Sequence, residues 1–444
     1  MTWLTWLTRL LTRHAHSAYL RRYGSPRTLD AFRERLPLCR YEDLTPWMAR
    51  VAAGEADVLF AGTPVAFERT GGSGGGAKLI PYSDAGLEDF QRNLGPWIER
   101  LFQAHAIAGR AYFATSPAAR APEYINGVPV GLPDAAYLGE RLGKMLAARS
   151  IVTPDIARQT DLAAWRRKTL RALAEAEDME LISVWSPTFL LRLLDDIPDP
   201  QHCWPRLKLV SCWQSGASRP YARELAARLP QARFEGKGLM STEGVASVPD
   251  AQGRVVPAAH GFVEFLPDGA PECVDAPIVG AQYEIVLTTA SGLYRYRTGD
   301  RVQVLAHTEA GLPVLEFIGR DSLCCDLVGE KLTDAFVAQC LQALPISTET
   351  LLVPDVSRPG YVLVSARPLA AETLAALENR LAANPQYAYA RALGQLAPLR
   401  ALVCPSFQRR VEHHLLQRGQ RLGDLKASSL RGEAFWLACL EGNI

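Results

Sequence analysis

The most informative stretch of the chain is Arg69-Thr70-Gly71-Gly72-Ser73-Gly74-Gly75-Gly76-Ala77-Lys78, which holds five glycines, two hydroxyls and a lysine. Glycines lack a Cβ, so their backbone N–H groups can close around an anion. Thr70, Ser73 and Lys78 add side-chain donors to that backbone. The composition of the stretch therefore predicts a phosphate-binding loop.

The loop does not match the P-loop of nucleotide-binding proteins. That motif needs two glycines with four residues between them, followed directly by lysine and Ser or Thr at the start of a helix. Gly71 and Gly76 have the right separation, but Ala77 stands before the lysine. A strand pattern precedes the loop and residues 79–82 are extended, so we expect the loop to join two strands. P-loop and dinucleotide-binding folds are therefore disfavoured, and a flexible linker is the alternative.

Length and composition set the class of protein. The chain has 444 residues, of which 48% are hydrophobic, so it can bury a large core and form two or three domains. A net charge of +1 gives no reason to expect nucleic acid or an anionic membrane surface. Nine cysteines without metal-ligand or redox spacing fit free thiols in a reducing cytoplasm.

The N-terminus is the one region that resembles a membrane-associated segment. Its tryptophans and leucines have the spacing of an amphipathic helix that extends to about Tyr23. Such helices usually pack on their own domain, and no stretch approaches the ~20 apolar residues of a membrane span. We therefore expect a cytoplasmic protein without stable membrane contact.

The predicted secondary structure changes in character twice along the chain. Residues 1 to about 60 are predicted to be helical, with breaks at 24–26 and around Pro46, and strands then alternate with helices as in an α/β fold with parallel sheet. From about Gly261, short strands separated by turns predict an antiparallel, barrel-like part, with separate strands at 293–297 and 301–304. The last 124 residues predict a small α+β unit.

Three further stretches combine charge with glycine or hydroxyl groups. In the stretch 236–244, Thr242 can hydrogen-bond a phosphate oxygen and Glu243 offers the oxygen ligand that Mg²⁺ prefers, although a capped turn explains it equally well. In the stretch 294–300, Asp300 can accept hydrogen bonds from a ribose diol; the alternative is an edge strand with paired charges. In the third, 422–428, a lone Lys426 would ordinarily be solvated surface.

Taken together, these stretches resemble the motifs of adenylate-forming enzymes, and most closely those of the auxin-responsive acyl acid amido synthetases of plants and their bacterial relatives. Residues 70–81 are similar to the Ser/Thr/Gly-rich loop of that branch, which ends in Lys-Leu-(Ile/Met)-Pro. Ser241-Thr242-Glu243 resembles its second motif, and the stretch 294–300 its third and most specific one. The resemblance runs from about residue 20 to the end of the chain.

The resemblance implies an α/β fold of the adenylate-forming type. A large N-terminal domain, residues 1–319, would combine mixed parallel sheets and helices with the barrel-like part and bind ATP and the acyl acid. A small, mobile α+β C-terminal domain, residues 320–444, would follow a hinge near 320–321. The implied reaction is ATP-dependent activation of a carboxylic acid as acyl-AMP, followed by transfer of the acyl group to an amine, usually of an amino acid.

The resemblance also assigns roles to single residues. ATP would be bound by Thr70, Gly71, Gly72, Ser73, Gly74, Lys78, Ser215, Gly216, Ala217, Met240, Ser241, Tyr296, Asp300 and Arg320. Thr242, Glu243 and Lys426 would be catalytic, with Glu243 also the Mg²⁺ ligand. The acyl group would lie against Trp185, Thr188, Phe189 and Trp213, although these four residues fit a plain core as well.

The chain departs from the family pattern at two places. Its glycine-rich loop has fewer hydroxyls, and Lys426 is followed by Ala-Ser-Ser instead of a proline-containing segment, which leaves Lys331 as the alternative lysine. Two other functions stay open. An acyl-CoA or carrier-protein ligase would share the first half-reaction, and a non-catalytic nucleotide- or acyl-binding relative would share only the fold.

Overall fold

The computed structural model of the chain describes residues 3–69, 78–114, 123–132, 134–159, 161–320, 324–328, 330–346, 348–418, 420 and 425–442. Five predicted phosphate-loop residues lie outside the described residues, namely Thr70, Gly71, Gly72, Ser73 and Gly74. Position 321 of the predicted hinge lies outside them as well.

Four helices precede the glycine-rich loop: α1 (Trp3–Arg13), α2 (Ala18–Arg22), α3 (Leu29–Arg35) and α4 (Tyr41–Ala52). The predicted helix through Tyr23 is wrong in length, because Ser17 starts a new helix by accepting a hydrogen bond from the Leu20 N–H. The predicted break at Pro46 is also wrong. This proline lies inside α4, where the apolar face of the helix is buried and outweighs the single lost hydrogen bond.

The loop joins strand to strand, as the sequence predicts. Strand β1 (Ala66–Arg69) pairs antiparallel with β2 (Leu79–Tyr82), with Arg69 opposite Leu79. Two more strands, β4 (Glu123–Ile125) and β5 (Val128–Val130), complete this sheet in the order β2-β1-β5-β4. Helix α5 (Asp84–Ala104) starts directly after β2, where the Ser83 hydroxyl accepts from the Gly86 N–H.

The predicted parallel sheet is present and lies beside α5. Its strands, in spatial order, are β3 (Arg110–Phe113), β6 (Met179–Ser183), β7 (Leu209–Ser211) and β8 (Arg233–Glu235). The helices of this region are α6 (Asp134–Ala147), α7 (Pro154–Ala157), α8 (Leu162–Ala174), α9 (Pro187–Leu194), α10 (Pro200–Cys203) and α11 (Arg219–Arg228). All four strands run in one direction, so their carboxyl ends share one edge, which is where open α/β sheets bind ligands.

The antiparallel part follows as predicted. It contains β9 (Met240–Ser241), β10 (Gly244–Val245), β11 (Ser247–Pro249), β12 (Val255–Pro257), β13 (Phe262–Leu266), β14 (Gln282–Thr288), β15 (Tyr296–His307) and β16 (Pro313–Arg320). The last four strands form a sheet in sequence order. The two strands predicted at 293–297 and 301–304 are wrong. Residues 296–307 form one strand, because a register shift against β14 absorbs the left-handed Gly299 (φ 76°).

The C-terminal part is the predicted α+β unit. Its elements are β17 (Cys324–Cys325), β18 (Leu332–Thr333), α12 (Asp334–Gln342), β19 (Thr350–Asp355), β20 (Gly360–Ser365), α13 (Ala371–Leu381), α14 (Pro385–Ala392), β21 (Arg400–Val403), α15 (Phe407–Gln417) and α16 (Phe435–Glu441). Leu351 and Val353 of β19 share an apolar cluster with Phe189 and Leu190 of α9. The unit therefore packs against the helices of the parallel sheet. Within the described part of the chain, no helix is long and apolar enough to cross a membrane.

Candidate active site

Tyr296, the first residue of β15, is the point at which three predicted motifs meet. The ammonium of Lys78 donates a hydrogen bond to the Tyr296 hydroxyl over 3.2 Å and lies 5.4 Å from the centre of the Tyr41 ring. Burial raises the pKa of Tyr296, the carboxylate of Glu243 raises it further, and the charge of Arg320 opposes this shift. Lys78 thus contacts the Tyr296 phenol directly, and the charges of Glu243 and Arg320 act on the same group.

The second motif forms a tight hairpin. Met240 and Ser241 form β9, Gly244 opens β10 opposite Ser241, and Thr242 and Glu243 are the two residues of the connecting turn. The Tyr82 hydroxyl, at the end of β2, donates to the Thr242 carbonyl over 2.7 Å. The motif is therefore a turn in local structure, and this hydrogen bond holds it beside the strand that leaves the glycine-rich loop.

Asp300 and Arg320 form an ion pair across the antiparallel sheet. They are directly opposite each other in the register of β15 and β16. The Arg320 Nε donates to one Asp300 carboxylate oxygen over 2.5 Å and a terminal nitrogen of Arg320 reaches the other oxygen at 3.4 Å. Asp300 is the main reason that the pKa of Arg320 is raised above its ordinary value. The alternative is therefore right about the paired charges but wrong about the edge strand, because β15 lies between β14 and β16.

The residues predicted to line the adenine form a single tight turn. Ser215 precedes a short 3-10 helix over Gly216–Ser218, which contains Ala217. Gly216 has a left-handed φ of 56°, and a Cβ on it would lie 3.1 Å from the Phe317 ring of β16. The Gln342 amide of α12 donates to the Gly216 carbonyl over 3.1 Å. The turn is thus held between the antiparallel sheet and the C-terminal unit.

The four predicted acyl-pocket residues divide into two pairs. Trp185 and Trp213 follow β6 and β7 at the carboxyl edge of the parallel sheet, and their ring centres are 6.0 Å apart. Thr188 and Phe189 lie on α9 and line a small cleft between the parallel-sheet region and the C-terminal unit. Phe189 is buried with its ring 5.9 Å from that of Trp165, as a core residue would be.

Lys426 connects these two pairs. Its ammonium lies 5.5 Å from the centre of the Trp213 ring, and its side chain also lines the cleft that holds Thr188 and Phe189. The alternative Lys331 is exposed, as Lys426 is, but it has a left-handed φ of 47°. Its neighbour Glu330 accepts hydrogen bonds from the backbone within the C-terminal unit.

Lys237 is a charged residue of the site that no sequence motif predicts. It is only 9% exposed, and its ammonium lies 5.1 Å from the centre of the Trp97 ring and 4.8 Å from that of Trp185. Its ammonium also donates to the Ser183 hydroxyl over 2.9 Å. Burial lowers the pKa of Lys237 to about 8. The only signal in the sequence is a lysine between two glycines, which by itself indicates a turn.

Two family models match the chain: the GH3 family N-terminal domain over residues 4–199 and the GH3 family central domain over residues 255–320. The chain belongs to the GH3 family. The second model ends at Arg320, so it contains the Asp300–Arg320 pair, and the first contains the glycine-rich loop.

Among curated GH3 proteins, the chain is 31% identical over 196 residues to the indole-3-acetic acid-amido synthetase GH3.10 of Arabidopsis thaliana. That alignment covers 36% of this chain and only 33% of the plant protein. The probable indole-3-acetic acid-amido synthetase GH3.1 of Oryza sativa subsp. japonica is 24% identical over 417 residues, which cover 73% of this chain and 67% of the rice protein. The predicted enzyme class, a ligase of the amido synthetase family, is thereby confirmed.

Solved structures give the same fold. The GH3.15 acyl acid amido synthetase in complex with 2,4-DB matches with a TM-score of 0.83 at 19% identity, over 99% of this chain and 93% of that one. A 2-hydroxyisobutyryl-CoA ligase in the postadenylation state matches with a TM-score of 0.63 at 13% identity, over 99% and 91%. The predicted α/β fold of adenylate-forming ligases is therefore confirmed.

Proposed function

We propose that this GH3 chain activates a carboxylic acid with ATP and transfers the acyl group to the amine of an amino acid. In the first step a carboxylate oxygen attacks the α-phosphorus of ATP, and pyrophosphate leaves. In the second step the amine attacks the acyl carbonyl, the bond to AMP breaks, and the amine loses a proton. One observation carries the proposal: the Lys78 ammonium donates to the Tyr296 hydroxyl, and the charges of Glu243 and Arg320, which come from two other stretches of the chain, act on the same phenol.

Negative charge gathers at the reacting phosphates, so stabilising cations are the first requirement of such a site. In our proposal Lys78 and the backbone of the glycine-rich loop bind the phosphates. Thr242 adds a hydroxyl donor, while Met240 and Ser241 form the strand that positions it. Lys426 approaches the carboxylate and the α-phosphate from the C-terminal unit.

The nucleoside would lie on the other side of Tyr296. We assign adenine to the turn Ser215-Gly216-Ala217, which the Phe317 ring and the Gln342 amide hold in place. Asp300 would bind the ribose, because each carboxylate oxygen has more than one lone pair and Arg320 uses only part of that capacity. Arg320 then has two functions in this proposal, since it orients Asp300 and faces the phosphates.

Mg²⁺ fits the donor set at the hairpin turn. Magnesium in ATP-dependent enzymes is commonly held by one or two carboxylates together with phosphate oxygens. Glu243 supplies one carboxylate, and the described residues contain no cluster of three metal-ligating side chains that would form a complete site. When bound, Mg²⁺ would neutralise phosphate charge and polarise the phosphorus–oxygen bonds.

We propose domains 1–319 and 320–444, with rotation about a hinge near 320–321 between the two steps. Gly319 lies at this proposed boundary and packs directly on α12, because a Cβ there would clash with the Ala335 Cα. Substitution of this glycine would separate β16 from the C-terminal unit. We also propose a reducing compartment, the cytoplasm, since all nine cysteines are free thiols.

The proposed function is tested by product analysis. Purified protein is incubated with ATP, Mg²⁺ and a panel of aryl, indolyl, short-chain and long-chain acids, in parallel with the twenty amino acids or with CoA. Mass spectrometry is expected to find AMP and an N-acyl amino acid. A thioester formed with CoA and no amide would instead establish the acyl-CoA ligase.

A further inference from the structure

Lys237 lies at the carboxyl edge of the parallel sheet, two residues after β8 ends. Ser183, the last residue of β6, accepts its hydrogen bond, and Ser183 is paired in register with Ser211 of β7. The indole of Trp97, from α5, closes the other side of the lysine. A lysine is rarely buried without an acidic partner. Among the described residues, Lys237 has no ion pair within 4.0 Å.

Other polar atoms around Lys237 lack a partner as well. Among the described residues, the Trp97 Nε1 and the Ser211 hydroxyl are buried without a hydrogen bond. Buried donors nearly always have a hydrogen-bond partner in folded proteins. A buried donor without one destabilises the fold, because it has lost its hydrogen bonds with water. The Lys237 ammonium, the Trp97 indole N–H and the Ser211 hydroxyl are donors close together at one edge. Together they need an acceptor oxygen.

The position of Lys237 relative to the proposed acyl pocket shows where that oxygen would come from. The Lys237 ammonium, the Trp185 ring, the Trp213 ring and the Lys426 ammonium form a row, in which successive members are 4.8, 6.0 and 5.5 Å apart. Aromatic faces bind flat or apolar groups, and a cation at each end of the row favours acceptor oxygens at both ends of a guest. Lys426 is the end at which the reacting carboxylate would lie.

We propose that Lys237 determines the specificity of the acyl site and selects acids that carry a second oxygen, anionic or phenolic, remote from the reacting carboxyl group. The inference rests on the proposed function only for the assignment of the reacting end. The body of the acid lies along Trp185 and Trp213, and its remote oxygen accepts hydrogen bonds from Lys237 and Trp97. No bond is formed or broken at that end.

The test compares acids that differ only at the remote end. The probes are 4-methylbenzoate, 4-hydroxybenzoate and terephthalate, and hexanoate against adipate. Isothermal titration measures their binding and pyrophosphate exchange measures their activation, both with the full-length chain. We expect the remote oxygen to strengthen binding about tenfold or more.

Three variants assign that preference to its donors. Lys237→Met keeps the length of the side chain and is expected to bring the matched acids to equal affinity. Trp97→Phe keeps an aromatic ring, although a smaller one, removes the indole N–H and should weaken the preference only in part. Lys208→Met is the control, since Lys208 lies just before β7 of the same sheet and is paired with Glu180 at the surface; it should keep the full preference.

The outcomes separate this inference from the proposed function. Equal or weaker binding of the oxygen-bearing acids by the wild-type chain overturns the inference, and so does a preference that survives Lys237→Met. The wild-type comparison is decisive even if Lys237→Met fails to fold. Selective binding without pyrophosphate exchange would overturn the proposed function and leave the inference standing. Equal pyrophosphate exchange with every acid would overturn the inference and leave the proposed function standing.

Discussion

The Lys426 ammonium lies 5.5 Å from the centre of the Trp213 ring, so the C-terminal segment reaches the carboxyl edge of the parallel sheet. This contact favours Lys426 over Lys331 as the adenylation lysine. We predict that Lys426→Ala lowers pyrophosphate exchange a few-hundred-fold, as loss of a charge-stabilising donor worth about 3–4 kcal/mol would do. Lys331→Ala is the matched control and should leave the exchange rate unchanged. If Lys331→Ala lowered the exchange rate and Lys426→Ala did not, Lys331 would be the adenylation lysine.

Asp334 anchors the segment that carries Lys426. Its carboxylate accepts the Ser429 and Leu430 N–H groups over 2.6 and 2.9 Å. Asp334→Ala would leave both donors buried without a partner, at a loss of about 1–3 kcal/mol in the free energy of unfolding. Hydrogen exchange of residues 425–431 should accelerate and pyrophosphate exchange should fall. Asp334→Asn keeps one acceptor oxygen and should show a smaller effect; equal effects would refute the anchoring role.

The Asp300–Arg320 pair stabilises the fold as well as the proposed ribose site. Their side chains are 10% and 24% exposed, so Asp300→Ala leaves a largely buried guanidinium without its counter-charge. We expect a loss of about 3 kcal/mol in the free energy of unfolding and a higher KM for ATP. The control is Glu316→Ala, which breaks a more exposed pair with Arg219 and should lose less than about 1 kcal/mol with an unchanged KM. Urea denaturation and initial rates measure both quantities.

The buried Lys237 makes stability depend on pH in the alkaline range. Its pKa is about 8 in the folded chain against 10.5 when unfolded, so the unfolded chain binds more protons between these values. The free energy of unfolding attributable to Lys237 should therefore rise with pH from about 8 to 10.5, by at most about 3 kcal/mol. The neighbouring Cys212, whose pKa burial raises to about 12, stays protonated over this range. The measurement is the difference between wild type and Lys237→Met at pH 7.5, 9 and 10.5, and a difference that is constant across them contradicts the prediction.

Loss of the Lys237 proton should also lower the proposed acid selectivity, whereas it raises the free energy of unfolding. Lys237 is charged below pH 8 and loses its proton above it. The preference for terephthalate over 4-methylbenzoate should therefore be largest near pH 7 and decline by pH 9. Lys237→Met should show no such decline. A preference that grows with pH would contradict a charged lysine at the remote end.

The parts of the fold that depend on short stretches of sequence could be predicted from the sequence. The strand-loop-strand arrangement around 70–77, the parallel sheet and the antiparallel part all follow from short-range periodicity. The sequence predicts a helix break around Pro46 and two strands at 293–297 and 301–304, but tertiary burial keeps Pro46 inside α4 and a register shift lets one strand continue through Gly299. These effects depend on distant partners, so a reading of local patterns misses them.

The candidate site, like the fold, could be predicted from the sequence only in part. The motif residues Lys78, Glu243 and Arg320 were found from sequence, but their meeting point at Tyr296 depends on how three sheets pack. Lys237 was missed, because Trp97 lies on α5 about 140 residues earlier and nothing local indicates its burial. The sequence also could not predict that the four acyl-pocket residues form two pairs, Trp185 with Trp213 and Thr188 with Phe189. Local patterns show which side chains are buried, but not which cleft each side chain lines.

The most direct test of the central claim is ATP–[³²P]pyrophosphate exchange with the wild-type chain across the acid panel, with Lys426→Ala alongside. Exchange measures formation of acyl-AMP itself and needs no knowledge of the acceptor. We predict exchange that requires one class of acid and collapses in the variant. If isothermal titration shows that ATP and an acid both bind, but no acid in the panel supports exchange, the claim that this chain forms acyl-adenylates is contradicted.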